Sequence, residues 1–222
     1  MSTPSQRSVK IPADERGGWS SDRPREGGAP PRAFDPSVSN RVLRPSDRLR
    51  YAPGSLLVIV GGRPGTAEAF AAEVIEKAAG VLSMQRVRGM LEGKVGEDEL
   101  EERAQQLLDA AVAKRLQSNE ATVVVVESLD PEVRARYVLM AAPIRRPRHL
   151  ILIDASGDQV PEEERAPLNA LRSALDSGGL GAEGFHTALR LGGASVREVK
   201  RVLFRPEPKD DDDPRGRPGG RL

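Results

Sequence analysis

The chain has 222 residues, enough for one ordinary domain with a full core plus tails. Hydrophobic residues make up 38% and aromatics only 3%, so the core is built from Ala, Val, Leu and Ile, which favours an α/β layered fold over an aromatic-rich β sandwich. Net charge is +1, so no global field points to nucleic acid or membrane, and the lack of cysteine excludes a disulfide scaffold, a thiolate nucleophile and a thiolate zinc site.

Two histidines, His149 and His186, are too few for a histidine-rich metal site. No apolar run approaches a membrane span, and the N-terminus lacks the apolar region of a secretory signal. A soluble, cytoplasmic protein without a membrane partner is expected. Residues 1–48 are rich in Pro, Gly, Ser, Arg and Asp, cannot bury enough surface to offset ordering entropy, and read as a disordered tail. Ile11, Trp19 and Phe34 stand isolated in it. The folded part is expected at 49–204, followed by a disordered tail, 205–222, with an acidic run and then Gly, Pro and Arg.

Within the folded part, LLVIV at 56–60 predicts a buried strand. Gly61, Gly62, Pro64 and Gly65 predict a tight turn. A helix over 67–79 follows, with Phe70, Ala71, Val74, Ile75 and Ala78 on one stripe, ended by Gly80. A short strand at 81–84 and a short helix at 85–91 come next. The helix predicted at 97–116 has acidic residues in its first turn and Lys114 and Arg115 in its last, matching the helix dipole. It turns Leu100, Ala104, Leu107, Leu108, Ala111 and Val112 inward. TVVVV at 122–126 fits a central parallel strand buried on both faces. Asp130 and Pro131 cap and open another helix. Strands are expected at 150–153 and 185–191. Between them lies a helix over 161–175, interrupted at Pro167, and a helical turn and short strand close the domain at 195–204. Five strands alternating with helices predict a parallel, doubly wound sheet, with ligands at the carboxyl ends of its strands, which carry Gly61, Gln85, Glu127 and Asp154.

The strand, glycine turn and helix of residues 56–70 have the layout of a phosphate-binding loop, whose chemistry needs G-x-x-x-x-G-K-[ST]. Starting that pattern at Gly62, through Arg63, Gly65 and Thr66, puts Glu68 where the lysine belongs and Ala69 where the metal-binding hydroxyl belongs. Four stretches then extend the pattern: LLVIVGGRPGTAEAF, VLSMQRVRGML, VVVVESLDPEVRARYV, and HLILIDAS followed by VPEEE and AEGF. Together, over residues 55–191, they resemble the small P-loop kinases of the polynucleotide-kinase and zeta-toxin type. The resemblance implies a five-stranded parallel sheet with the phosphate loop after the central strand. It also implies a lost reaction. Glu68 replaces the phosphate-binding lysine, and an attraction of about 4 kcal/mol at ~4 Å and an effective dielectric of 20 becomes a repulsion. Ala69 replaces the magnesium ligand, and Gln85, which takes no proton at neutral pH, replaces the catalytic base. The arginine-bearing lid is absent. Arg88 matches the family's substrate-binding arginine, and Glu127 keeps an acid in the third motif.

This implies a catalytically inactive, kinase-like regulatory or interaction module, with an unidentified protein partner, no cofactor, and nucleotide binding weak or lost. The alternative is an active ATP- and magnesium-dependent kinase in which Arg63 or Arg88 does the lysine's work. A third reading, nucleic-acid binding, rests on Arg88 and the basic run Arg145, Arg146, Arg148. Glu127 and Asp154 form a candidate carboxylate pair in the cleft, read against helix capping or pairing with Arg88 or Arg63. Arg134 and Arg136 are expected to be solvated, His149 to be a strand-boundary residue rather than a catalyst, and His186 to lie in the last strand, likewise without a catalytic role.

Overall fold

The computed structural model describes residues 37–75 and 80–205. In chain order the elements are β1 (Arg41–Val42), β2 (Arg48–Tyr51), β3 (Leu56–Gly61), α1 (Thr66–Val74), β4 (Val81–Ser83), α2 (Met84–Leu91), α3 (Glu97–Gln117) and β5 (Thr122–Val126). Then come α4 (Pro131–Ala141), β6 (Arg148–Ile153), α5 (Glu162–Asp176), β7 (Thr187–Leu191), α6 (Ser195–Glu198) and β8 (Arg201–Phe204). Six strands form a wholly parallel sheet in the order β1-β7-β6-β3-β5-β4. β2 and β8 pair separately as a two-stranded parallel ribbon. The expected five strands are present. The sixth, β1, escapes the sequence pattern because it is two residues long and lies in a stretch that reads as tail.

Alternation within the buried strands assigns side chains to two core layers. Leu56, Val58 and Val60 of β3, with Val124, Val126, Leu150 and Leu152, pack under α3, α4 and α5. Leu57 and Ile59, with Val123, Val125, Ile151 and Ile153, pack under α1 and the β2–β8 ribbon. Each such residue contributes roughly 1.5–3 kcal/mol on burial. β3 and β5 are buried at every position, which is why their sequences show no polar alternation. On α3 the buried stripe is Ala104, Leu108, Val112 and Leu116, while Leu107 is exposed.

Three local differences from the sequence expectations have physical causes. First, α1 stops at Val74, because Ile75 turns extended and makes a parallel bridge to Val202 of β8. Ala78, expected on its stripe, lies outside the described residues. Second, the fold does not begin at Leu49. The backbone of Val38 donates to Gly181 O, that of Arg41 to His186 O and that of Leu43 to Ala188 O, and the Asn40 amide donates to Phe185 O. The approach is so close that a Cβ on Gly181 would lie 2.1 Å from Val38 O. Hydrophobicity of 37–48 gave no hint, since main-chain groups hold it. Third, Pro167 sits inside α5 without ending it, one turn after the Glu162–Glu164 start. Ile11, Trp19, Phe34 and the acidic run of the C-terminal tail lie outside the described residues. No helix among the described residues is long and apolar enough to cross a membrane.

β3 leads its chain toward β5 and β4, while its neighbour β6 leads toward β7. The connections diverge between them, which makes the carboxyl ends of β3 and β6 the switch point where open α/β sheets hold ligands.

Candidate functional site

The turn after β3 occupies one side of this crevice. Gly65 has φ +78, the left-handed conformation that glycine adopts without strain, and it leads into α1. The turn is closed on itself. Thr66 donates from both its amide (3.3 Å) and its hydroxyl (2.7 Å) to Arg63 O. Gly62 N donates to Ile153 O at 2.7 Å, extending the β3–β6 ladder. A Cβ on Gly62 would lie 3.0 Å from Ala155 N, so the turn presses against the segment that follows β6. The Phe70 ring lies in the core under α1 rather than in the turn.

Glu68, which the sequence pattern sets against the phosphate-binding lysine, is held from α2. Arg86 Nε donates to its Oε1 at 2.5 Å, and the Glu68 side chain is only 18% exposed. Its Oε2 is buried and has no partner among the described residues. Arg63 is exposed and makes no ion pair among the described residues, so the carboxylate's partner is Arg86 rather than Arg63. Sequence reasoning passed over Arg86. Its signal was available, since Ser83 caps α2 by accepting from Arg86 N and so places that side chain one turn from the sheet edge.

On the other side of the crevice Asp154 ends β6. Arg172 of α5 donates to its Oδ1 from Nε (2.9 Å) and Nη2 (2.6 Å), and Arg190 of β7 lies on its Oδ2 at 2.7–2.8 Å. Ala155 N also donates to Oδ1. Burial opposes the Asp154 charge, but the hydrogen bonds from Arg172 and Arg190, with their charges, outweigh it and hold the carboxyl below its usual value. Arg172 Nη2 also donates to Ala155 O, and Arg190 continues to Asp176. Asp154 thus pairs with cations, as expected, but with Arg172 and Arg190 rather than Arg88 or Arg63.

The remaining candidates do not converge. Gln85 is exposed on α2, and Glu127 is exposed just beyond β5. Arg88 forms a bidentate pair with Glu101 of α3 at 2.6 and 2.7 Å, and these hydrogen bonds raise its already high pKa. No group of three or more His, Asp or Glu side chains among the described residues is placed to hold a metal ion.

The basic run splits in the same way. Arg146 donates to Leu116 O and to the Asn119 amide oxygen, and Arg148 is buried and donates to Gly184 O. Arg134, expected at the surface, is also buried. It forms a bidentate pair with Glu183 at 3.0 Å and donates to Leu129 O. Arg136 keeps its expected exposure and reaches Asp109 at 3.4 Å.

No protein-family model matches the chain. No curated protein matches it. Among solved structures it is similar to a protein provisionally described as a kinase from Chloroflexus aurantiacus J-10-fl, at a TM-score of 0.40 and 18% identity over 66% of this chain and 88% of that one. The parallel, helix-flanked sheet agrees with a generic P-loop NTPase-like architecture.

Proposed function

We propose that this domain is a P-loop-like scaffold that has given up phosphoryl transfer and serves as a regulatory or interaction module. The observation that carries the reading is the Glu68–Arg86 pair. An anion entering beside α1 meets a carboxylate where a cation is required, and the side chain that neutralises this carboxylate approaches from α2. The turn supports the same reading. Its Thr66 amide and hydroxyl are taken up by Arg63 O. A phosphate would have to break both bonds to reach those donors. Across the crevice, Arg172 and Arg190 are taken up by Asp154.

The test is thermal unfolding of the full chain in millimolar ATP, with and without magnesium. A ligand at 100 times its Kd adds about 2.7 kcal/mol to stability. The expected result is no shift. A magnesium-dependent rise in Tm that disappears in Arg63→Ala would overturn the reading in favour of an active kinase. Arg63 is the cation for that role because it is exposed at the turn, whereas Arg88 is tied to Glu101.

A further inference from the structure

The near-neutral total charge conceals two strongly basic segments. Residues 41–51 and 195–205 carry eight basic side chains (Arg41, Arg44, Arg48, Arg50, Arg197, Lys200, Arg201 and Arg205) against two acidic ones, Asp47 and Glu198. That is +6 in a chain whose total is +1. These two segments are far apart in sequence and are joined by the β2–β8 ribbon. In its register Arg48 lies opposite Arg201 and Leu49 opposite Val202. Leu49 and Val202 are buried in the core under the sheet, which turns Arg48, Arg50 and Arg201 to the outer side, where all three are exposed. Arg48 and Arg50 are therefore about 7 Å apart along the strand, and Arg48 and Arg201 about 4.8 Å apart across the ladder.

We infer that the outer face of the β2–β8 ribbon binds the phosphate backbone of nucleic acid without reading its sequence. Regularly spaced arginines on a two-stranded ribbon meet a polymer that carries one negative charge per about 1.7 Å of duplex axis. An acidic protein or a membrane surface would call for apolar anchors beside the charge. Among the described residues the large exposed hydrophobic side chains are Val42, Met90, Leu107, Leu139 and Ile144, and none belongs to β2, α6 or β8. Arg48, Arg50 and Arg201 are other residues than the arginines at 88 and 145–148, and the inference does not depend on whether the crevice binds nucleotide.

The experiment uses the full chain and a fluorescein-labelled 24-base-pair DNA duplex, titrated by anisotropy between 50 and 200 mM salt. Three engaged phosphates give a log–log salt slope of about −2.7. The triple variant R48A/R50A/R201A is expected to bring the slope close to zero, and R48A/R50A to remove about two units of it. Arg145→Ala, in the other basic run, is expected to leave it unchanged. These positions are exposed, and an unchanged Tm in each variant shows that the fold is kept. The inference is overturned if the duplex does not bind at 50 mM salt, if the triple variant keeps its slope, or if phosphatidylserine vesicles are bound more tightly than the duplex.

Discussion

Near the start of β6, beside the buried Arg148, His149 is an enclosed polar side chain; at the strand's end, five residues on, Asp154 is another. His149 is neutral. Its ring meets Thr187 Oγ1 at 2.8 Å and Ser55 Oγ at 3.3 Å, and it packs on the Tyr51 ring at a centroid distance of 4.4 Å. Burial, reinforced by the nearby His186 and Arg148, pushes its pKa down to about 3. Asp154 is charged, and two guanidiniums hold it so. One strand therefore satisfies a polar group by discharging it at one end and by pairing it at the other. The amino end lies beneath the ribbon, in a layer sealed by apolar side chains, where hydroxyls are the polar partners of the ring. The carboxyl end opens onto the crevice, where arginines from α5 and β7 reach in from the surface. At the crevice the charge of Asp154 is met by Arg172 and Arg190 within the protein itself.

Asp154→Ala breaks this contrast most severely. It leaves Arg172 without its acid and Arg190 with only Asp176, and removes the bond from Ala155 N that ties down the segment packed on Gly62. Removing one partner of an enclosed pair costs about 3 kcal/mol. Equilibrium urea unfolding should show a loss of that size. A loss below about 1 kcal/mol would mean that the pairing of this carboxylate contributes little to the fold.

A smaller effect, about 2 kcal/mol, is expected at the turn. Glu68→Lys places an ammonium against Arg86 and exchanges an attraction for a repulsion, partly relieved by the solvent that reaches Arg86. The double variant E68K/R86E restores the opposite signs and should recover at least half of the lost stability. If the double variant is as unstable as the sum of its parts, the pair is a surface coincidence. If Glu68→Lys alone confers magnesium-dependent ATP protection, the crevice is a nucleotide site blocked by one side chain, and internal pairing does not define it.

The sequence carried the frame of this molecule well, and its pairings poorly. β3, β5, α3 and α4 were legible because each depends on a local rule. Unbroken valines mark a strand buried on both faces, and Asp130 caps α4 by accepting from Glu132 N, as the Asp-Pro pair predicts. The β1 segment was illegible because its binding to β7 is made by backbone atoms, which leave no mark on composition. The site divides along the same line. That Glu68 carries the opposite charge to a lysine, and that Gln85 takes no proton at neutral pH, follows from their chemistry alone. Which arginine neutralises which acid does not, because Arg86, Arg172 and Arg190 come from three different elements. Arg134 shows why exposure was misjudged. A lone charge on a helix belongs in water unless a distant acid meets it, and Glu183 lies 49 residues away.

The weakest expected effect concerns the amino end and appears in pH rather than in a single stability value. The folded pKa of His149 lies below its unfolded value of about 6.5, so the unfolded chain binds more protons between pH 6.5 and 3. Stability from the neutral, buried ring is present above pH 6.5 and declines as pH falls through that window. Between pH 6.5 and 5.5 one such group removes about 1 kcal/mol. Asp154 contributes nothing there, because its carboxyl, held below its usual value, stays ionised. His186, also pushed down by burial and by Arg148, adds to the slope. His149→Gln should therefore flatten, but not abolish, the fall in urea-derived stability over that pH unit, whatever its effect at neutral pH. An unchanged slope would show that His149 takes up its proton without leaving the fold, and the neutral His149 ring would no longer stand as the counterpart of the charged Asp154.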